Sequence, residues 1–471
     1  MLSTISLPCI ATAALATAAS AAPPVVLDGA FDDWAQVEST FQVDDPAGDA
    51  TGAFDVLELD GYVDGSTLYL RLESAEALNL QNGPREEGTL VLRIELPDGQ
   101  TLALNFRART AVMVAKENKG GELPVDQPIP WAALGFEALP TFASTEQEFR
   151  VDLSSLGVTA GDVVTLSLMG SDSIEPQEVE LTERQEKADV DVPTKPADGF
   201  RVANANVLWD GLADDERGPK LARLLTAAEA DVFTLQETIS QRDQPDRNRG
   251  EEPDPEGMAM VTKLALAQRL GGEWNVVADG LGCVVASKHA LQPVEIRDAR
   301  AAAAIVDVDD NGFDANDPLV ASVHLKCCGY AGSDEDLRRM GEVVNLARSL
   351  RRAGEGRPII VAGDYNLVGS SLPRDLLMSP QTLGLKEVVP LQLGDGSATT
   401  WRGLRPSESF WPGRLDLILH SPSLDPQQSF SIDTADLDDA ALQAMNLEPD
   451  DSLGSDHLLL ITDFAVTAED R

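Results

Sequence analysis

The stretch that decides the fold is Pro358-Ile-Ile-Val-Ala-Gly-Asp-Tyr-Asn366. A short apolar run bounded by turn formers is typical of a buried strand. The residues that follow such a strand lie at the carboxyl edge of its sheet, where α/β proteins place their chemistry. If the chain stays extended, the side chains of Asp364 and Asn366 leave the same face, because they are two residues apart. The carboxylate can then accept a proton or hold a water, and the carboxamide can donate to an oxyanion.

Strands and helices alternate on both sides of this stretch. Apolar β-forming runs predict strands, and apolar residues spaced three or four apart predict helices. The predicted strands are 200–208, 231–235, 274–277, 283–287, 302–308, 319–325, 415–419 and 458–464, and the predicted helices are 219–228, 257–270 and 334–352. This alternation indicates an α/β domain over residues 200–468, with sheets covered by helices.

Residues 22–181 have a different pattern. Apolar residues alternate with polar ones at 68–72, 90–96, 102–106 and 164–168, and Asp-Gly and Asn-Gly turns separate such runs. A period of two is typical of antiparallel sheets with one solvent-facing side. We therefore predict an all-β sandwich, which would be a binding module.

Residues 182–199 are charged, contain prolines and lack periodicity, so they are predicted to be a linker. Since this segment has no apolar pattern, a chain that begins near Ala197 is expected to fold and act alone. The sandwich would then only hold the enzyme on a polymer or a surface.

Residues 1–21 are predicted to be a secretory signal peptide. No charged side chain occurs before Asp28, and Ala19-Ser-Ala21 is a small-x-small cleavage pattern. No segment is long and apolar enough to be a transmembrane span. We expect a secreted protein, either extracellular or periplasmic.

The formal net charge is −43, from 79 acidic and 36 basic side chains. This charge repels nucleic-acid phosphates and anionic lipids at long range. An anionic substrate would therefore need metal ions or a local basic pocket. An acidic surface that serves solubility alone is the alternative.

Polar residues recur at, or next to, one end of each of several predicted strands. A single glutamate or histidine at such a position is usually solvated or structural. The recurrence along one domain instead indicates a common site. The residues are Asn206, Glu237, His324, Asp364, Asn366, Asp416, Asp456 and His457.

In this order, the Gly-Asp-x-Asn and Ser-Asp-His motifs resemble those of the endonuclease/exonuclease/phosphatase superfamily, which includes deoxyribonuclease I. The resemblance covers residues 200–468 and implies a four-layer α/β sandwich of two mixed sheets flanked by helices, here preceded by the all-β sandwich. It also implies a metal-dependent phosphoester hydrolase.

The resemblance assigns roles residue by residue. Glu237 would be the main ligand of Mg²⁺ or Mn²⁺, with Asn206 beside it and Asp456 near a second metal position. Asp364 would align or deprotonate the attacking water, and Asn366 would bind the scissile phosphate. Hard oxygen ligands suit these cations.

The histidines would act on the phosphate. His457 would stabilise or protonate the phosphoryl oxygens, with Asp416 orienting its ring through the other nitrogen. His324 and Lys326 would be further phosphate contacts. Such donors stabilise the charge that develops on the phosphoryl oxygens during in-line attack.

The sandwich begins with Val26-Leu-Asp-Gly-Ala-Phe-Asp-Asp-Trp34. This opening resembles family 9-like carbohydrate-binding and DOMON-like sandwiches, which implies a glycan or surface ligand. The carboxylates of Asp44, Asp49 and Asp55 are then candidate Ca²⁺ ligands. An acidic loop without an ion is the alternative.

A second acidic loop opens like a Ca²⁺-binding loop, with Asp307, Asp309 and Asn311 as candidate ligands. Pro318 stands where the closing glutamate belongs, so we favour an acidic hairpin turn.

Beyond the signal peptide, the three cysteines Cys283, Cys327 and Cys328 permit at most one disulfide. A vicinal bridge between Cys327 and Cys328, or a bridge from one of them to Cys283, remains open.

Three functions are compatible with these observations. The first is a secreted divalent-metal-dependent phosphodiesterase that acts as a nuclease on extracellular nucleic acid. The second is a sphingomyelinase-like hydrolase of phospholipid head groups, or a hydrolase of small phosphoesters. The third is a glycan-binding adhesion protein with a vestigial α/β domain, against which the complete set of polar residues argues.

Overall fold

The computed structural model describes residues 25–84, 88–114, 126–185, 189–197, 199–240, 242–245, 252–405 and 408–466. The predicted signal peptide lies outside these residues. No helix in the described part of the chain is long and apolar enough to cross a membrane.

The first domain is a sandwich of two sheets, with strand orders β1-β2-β3-β9-β8 and β11-β10-β4-β5-β6-β7. Its strands are β1 Phe41–Asp44, β2 Val56–Asp64, β3 Thr67–Leu78, β4 Leu90–Glu95, β5 Thr101–Asn105, β6 Thr110–Val114, β7 Gln127–Ile129, β8 Glu137–Leu139, β9 Ser144–Asp152, β10 Val163–Gly170 and β11 Ile174–Glu180. The alternating residues predicted to face inward do so: Leu68, Leu70 and Leu72 are at most 1% exposed and share one core with Leu92 and Leu104.

The second domain contains two mixed sheets, with strand orders β14-β15-β13-β12-β24-β23-β21 and β16-β17-β18-β19-β22-β20. Its strands are β12 Phe200–Asn206, β13 Val232–Gln236, β14 Asn275–Ala278, β15 Val284–Ser287, β16 Leu291–Val294, β17 Ala301–Val306, β18 Leu319–His324, β19 Ile359–Asp364, β20 Lys386–Val388, β21 Leu391–Gln392, β22 Asp416–His420, β23 Leu424–Ile432 and β24 Leu459–Val466. Its helices are α1 Arg217–Ala228, α2 Pro255–Leu270, α3 Asp334–Ala353, α4 Leu372–Met378 and α5 Asp439–Met445.

The two mixed sheets stack face to face and are flanked by helices. Along β19, Ile360 packs in the apolar cluster between the sheets, whereas Val361 packs outward with Leu346 of α3. Along β12, Val202 faces the other sheet and Ala203 packs outward against α1. The predicted four-layer α/β sandwich is therefore confirmed.

The predicted strands and helices of this domain are all present within a few residues. Sequence patterns missed β16, α4, β20, β21, β23 and α5. The expectation that the chain stays extended beyond Asp364 is wrong: β19 ends there, and Asn366 has a φ of 50°. Asparagine tolerates this left-handed conformation better than most residues, so the chain turns at once.

The segment predicted to be a free linker lies against the second domain. Val190 and Val192 pack on the apolar cluster around α1, α2 and α5. The ammonium group of Lys195 lies 2.5 Å from the carboxylate of Asp231. A segment without a periodic apolar pattern can therefore still pack on a core, as Val190 and Val192 do.

The expectation that the two domains share no core is also wrong. Trp411 of the second domain is 2% exposed and belongs to the core of the first. A chain that began near Ala197 would expose this indole, at a cost of about 1.5–3 kcal/mol for a large apolar side chain. Independent folding of the second domain is therefore no longer expected.

Candidate active site

The strand ends of the second domain bring polar side chains to one edge of the layer between the sheets. Asn206 pairs with Gln236 in register, just before Glu237. On the facing sheet, His324 pairs with Asp364. Because every second residue of a strand faces the same side, Asn206 continues the inward-facing row of Val202, and Asp364 continues that of Ile360.

Asn206 lies at the centre of this group. Its Nδ2 is 3.4 Å from Glu237 Oε1, 3.3 Å from Asp364 Oδ2 and 3.4 Å from His457 Nε2. Its Oδ1 accepts a hydrogen bond of 3.0 Å from the backbone N–H of Leu208. The amide therefore presents a donor to the carboxylates, whereas the metal-ligand role predicted for Asn206 would need its oxygen there.

His457 and Asp416 form a buried pair. Nδ1 of His457 lies 2.7 Å from Oδ2 of Asp416, which is 0% exposed. Burial would lower the pKa of His457, but the carboxylates of Asp416 and Asp364 hold it well above its usual range. Its Nε2 faces Asp364 Oδ2 at 3.9 Å.

The facing carboxylates have raised pKa values. Burial raises the pKa of Asp364 to about 8, with the charges of Asp416 and Glu237 acting in the same direction and His457 opposing them. Burial also raises the pKa of Glu237, and the charge of Asp456 adds to this. A raised pKa makes a carboxylate a stronger base, and such shifts mark functional sites.

His324 is held by an arginine that the sequence analysis missed. Nη2 of Arg300 lies 3.1 Å from Nδ1 of His324. Because a guanidinium can only donate, Nδ1 is the acceptor and the neutral ring carries its proton on Nε2. Burial and the nearby charge of Arg300 keep the pKa of His324 well below its usual range. Its Nε2–H faces Asp364 Oδ2 at 3.5 Å and Glu237 Oε1 at 3.7 Å.

The carboxylates of the site fit a divalent metal ion. Ligand atoms of Glu237, Asp364 and His324 lie within 4.8 Å of one another. Oδ1 of Asp456 is buried and has no hydrogen-bond partner among the described residues. Hard oxygen atoms of this kind are the ligands that Mg²⁺ and Mn²⁺ prefer. His324 fits less well, because its proton occupies the nitrogen that faces the group.

The family assignment agrees with this geometry. Residues 203–457 match the model of the Endonuclease/Exonuclease/phosphatase family, which is more than half of the chain. The chain belongs to this family. Its second domain is therefore an Endonuclease/Exonuclease/phosphatase domain, and the protein is a metal-dependent phosphoester hydrolase.

Solved structures with a similar fold include three named proteins. The catalytic domain of human Nocturnin is 21% identical, with 58% of this chain and 97% of that chain covered and a TM-score of 0.39. Humanized D. rerio TDP2 is 16% identical, with 57% of this chain and 100% of that chain covered and a TM-score of 0.38. The 3′ phosphatase NExo from Neisseria is 18% identical, with 56% and 99% covered and a TM-score of 0.38. No curated protein matches the sequence.

Two predicted phosphate contacts flank the cluster of the Endonuclease/Exonuclease/phosphatase domain. Asn366 is 8% exposed, and its Nδ2 lies 3.3 Å from the carbonyl of Leu325. Nζ of Lys326 lies 3.5 Å from the sulfur of Cys327. Both residues follow strands that end at the site, and their phosphate contacts remain predictions.

A buried polar layer beneath the cluster around Asn206 was also missed. Oδ1 of Asn204 accepts from Thr234 Oγ1 at 2.9 Å and from Gln236 Nε2 at 3.0 Å. Gln236 also lies 2.9 Å from Ser322 Oγ, and Asn204 Nδ2 lies 3.3 Å from Asp416 Oδ1. The available signal was the period of two: Asn204 and Ser322 precede Asn206 and His324 by two residues.

The first acidic loop differs from its predicted ligand set. The carboxylates that approach one another are those of Asp45, Asp49 and Asp172, within 4.8 Å. Asp44 is exposed on β1, and both carboxylate oxygens of Asp55 accept from the backbone N–H of Gly48. Asp44 and Asp55 are not among these three, although Asp55 lies close enough for its charge to raise the pKa of Asp45, after burial and the charges of Asp172 and Asp49.

The second acidic loop is a turn closed by its own backbone. Asp307 accepts from the N–H groups of Asn311 and Gly312, at 3.1 and 3.0 Å. Nδ2 of Asn311 donates to Asp309 at 2.7 Å. The third carboxylate near Asp307 and Asp309 is that of Asp317, not a group of Asn311. These contacts are compatible with a hairpin turn, and Ca²⁺ binding by this loop stays a prediction.

Cys283, Cys327 and Cys328 are free thiols. The sulfur atoms of Cys327 and Cys328 lie 2.9 Å apart. Cys283 is buried, and its thiol lies 3.5 Å from the carbonyl of Arg300. Of the pairings left open above, Cys327 with Cys328 is therefore the one whose sulfur atoms lie close together.

Proposed function

We propose that this protein is an exported phosphodiesterase, dependent on Mg²⁺ or Mn²⁺, that acts as a nuclease on extracellular nucleic acid. The observation that carries the proposal is the arrangement of His457, held by Asp416, opposite the Asp364 carboxylate. A proton donor and a base face each other there, as in-line attack on a phosphoester requires.

Asp364 would take a proton from the attacking water, which its raised pKa favours. His457 would donate from Nε2 to a phosphoryl or leaving-group oxygen, since Nδ1 is engaged by Asp416. His324 would supply a second donor through its Nε2–H. Preorganised donors of this kind stabilise the charge that develops in the transition state.

Basic side chains near the site would offset the repulsion of anionic substrates that a net charge of −43 causes. Arg300 and Lys326 lie close enough to His324 for their charges to lower its pKa. A phosphate that enters the site would therefore meet cations despite the acidic surface. Glu237 and Asp456 would hold the metal ion, which when bound would neutralise charge on the phosphoryl oxygens.

The second candidate is a hydrolase of phospholipid head groups or small phosphoesters. The net charge of −43 favours it, because a small substrate carries few phosphates to be repelled. The sandwich would bind a glycan or a surface ligand in either case, as its opening motif suggests, and Ca²⁺ at its acidic loop would be an additional ligand.

An activity screen would test the proposal. The purified full-length protein would be assayed with Mg²⁺, Mn²⁺, Ca²⁺ or a chelator against DNA, RNA, sphingomyelin, bis-p-nitrophenyl phosphate and inositol phosphates. We expect metal-dependent hydrolysis of DNA or RNA, and loss of it in Asp364→Asn. Hydrolysis of lipid or inositol substrates alone would select the second candidate, and activity that persists in Asp364→Asn would refute the mechanism.

The proposed export from the cytoplasm can be tested separately from the activity. The mature chain would begin at Ala22, and N-terminal sequencing of protein recovered outside the cytoplasm would show this. A chain that keeps residues 1–21 and stays in the cytoplasm would overturn the proposed localisation.

A further inference from the structure

The sandwich contacts loops that carry catalytic residues of the second domain. Trp411, five residues before Asp416, lies among the sandwich aromatics, with ring centroids 5.3 Å from Trp131 and 5.3 Å from Phe136. The carbonyl of Pro412 accepts from the N–H of Ala138 at 3.3 Å. The chain that leads into β22 is therefore fixed in the first domain before it reaches the active site.

Thr141, in the turn between β8 and β9 of the sandwich, joins two of these loops. Its Oγ1 lies 2.8 Å from the carbonyl of Leu367 and 2.9 Å from that of Arg414. Leu367 directly follows Asn366, and Arg414 precedes Asp416 by two residues. Thr141 is 5% exposed, so its single O–H, which donates to either carbonyl or is shared between the two, meets little competition from water.

Neighbouring contacts hold the loop after Asp364 in the same way. Nδ2 of Asn79 lies 3.1 Å from the carbonyl of Val368, and the N–H of Ala143 donates to Gly369 at 2.8 Å. A Cβ added to Gly413 would lie 2.4 Å from Cγ2 of Thr141. The two domains are thus in close contact at this point.

A third loop connects the sandwich to the partner of His457. Glu137 accepts from Ser397 Oγ at 2.6 Å and from Thr399 Oγ1 at 3.0 Å. The next residue, Thr400, donates through Oγ1 to Asp416 Oδ2 at 2.9 Å. That same oxygen lies 2.7 Å from His457 Nδ1. Residues 397–400 therefore connect Glu137 of the sandwich to the pair of Asp416 and His457.

We infer that the sandwich is a structural part of the active site and that Thr141 is a positioning residue for it. The inference rests on the proposed phosphodiesterase function. Thr141 acts through the backbone of two loops, on Asp416 and on the Asp364–Asn366 turn, and touches no reacting group. Misplacement of catalytic groups by about 1 Å can cost about 100-fold in rate, so a bond that links both loops affects turnover.

Thr141→Val in the full-length protein tests this directly. The substitution keeps the shape of the side chain and removes the hydroxyl that reaches the Leu367 and Arg414 carbonyls. We expect kcat on bis-p-nitrophenyl phosphate to fall about 10-fold, with KM changed less than about twofold, because orientation is altered rather than substrate binding. Thr141→Ser keeps the hydroxyl and should restore kcat to within about twofold of the original.

The matched control is Thr182→Val, which removes a hydroxyl just beyond the sandwich that donates to the carbonyl of Val63 in the first domain. Its kcat should be unchanged. A second readout is the downfield NMR signal of the His457 Nδ1 proton, which should shift in Thr141→Val and stay unchanged in Thr182→Val.

The outcomes separate this inference from the proposed function. An original protein that hydrolyses no phosphoester refutes the proposed function. An active original protein with normal kcat and an unshifted proton signal in Thr141→Val refutes the inference. A loss in Thr141→Val that Thr141→Ser does not restore, or that Thr182→Val shares, shows general destabilisation and also refutes it.

Discussion

The strand ends that carry Asp364, Asp416 and His457, proposed above as catalytic and called the catalytic edge below, are rich in carboxylates. The two acidic loops are rich in carboxylates too, but they hold them differently. Asp416 is 0% exposed and contacts Thr400, Asn204 and His457, of which the last two come from other strands or their ends. Asp307 accepts only from backbone groups within five residues of it among the hydrogen bonds described above. The first arrangement is built by the fold and the second by a turn.

This difference shows what distinguishes a reactive carboxylate from a structural one. A turn can satisfy an aspartate with its own N–H groups, so an acidic motif is compatible with a simple loop. Burial, with the charges of Asp416 and Glu237 acting in the same direction, raises the pKa of Asp364. Such a group can bind a proton or a cation, which is the property that catalysis needs.

The largest effect is expected for His457→Ala. This change removes the proton donor that Asp416 holds, so kcat should fall about 1,000-fold, within the range of general acid–base catalysis. Steady-state kinetics on bis-p-nitrophenyl phosphate would measure it. His289→Ala is the control, because His289 lies against Asp310, away from the catalytic edge, and should leave kcat unchanged. Comparable rates for the two variants would remove His457 from the mechanism.

Glu237→Gln should weaken metal activation as well as rate. The substitution removes a charge next to Asp364 and Asp456, so we expect the Mg²⁺ concentration for half-maximal activity to rise at least about 10-fold. A titration of activity with Mg²⁺ would show this. An unchanged half-maximal concentration would exclude Glu237 as a metal ligand.

Arg300→Gln should lower kcat about 10-fold, because Nδ1 of His324 would lose the cation that fixes its proton on Nε2. Arg300→Lys should recover part of the loss, since an ammonium group also only donates. The measurement is kcat for both variants, with Arg297→Gln as the control at an exposed position that pairs with Glu295. If Arg297→Gln is as slow as Arg300→Gln, a general charge effect explains both.

The smallest effects are expected in the acidic loops. Asp49→Asn and Asp307→Asn should change kcat less than about twofold, and Asp307→Asn should cost about 1 kcal/mol of stability through its weakened backbone bonds. Thermal unfolding with and without Ca²⁺ would measure both variants against the original. A rise in Tm with Ca²⁺ that either variant abolishes would make that loop a cation site and end the contrast with the catalytic edge.

The four layers were implied by the family resemblance, whereas the sequence patterns alone predicted the β-rich first part of the chain, the alternating strands and helices of the second, and the positions of the strand-end polar residues. These are local properties: a period of two or of three to four residues reports which face of an element is buried. Asn206, Glu237, His324, Asp364 and His457 could be found in this way, because each lies at the end of a recognisable apolar run.

Only the tertiary structure decided which distant groups support those residues. Arg300 behind His324, the buried layer around Asn204, and Thr141 in the other domain have no local signal that links them to the site. The sheets must stack and the domains must dock before these groups approach their partners, and a pattern read along the chain contains no information on either step. The same reason explains why no sequence pattern indicated that Trp411 belongs to the sandwich core.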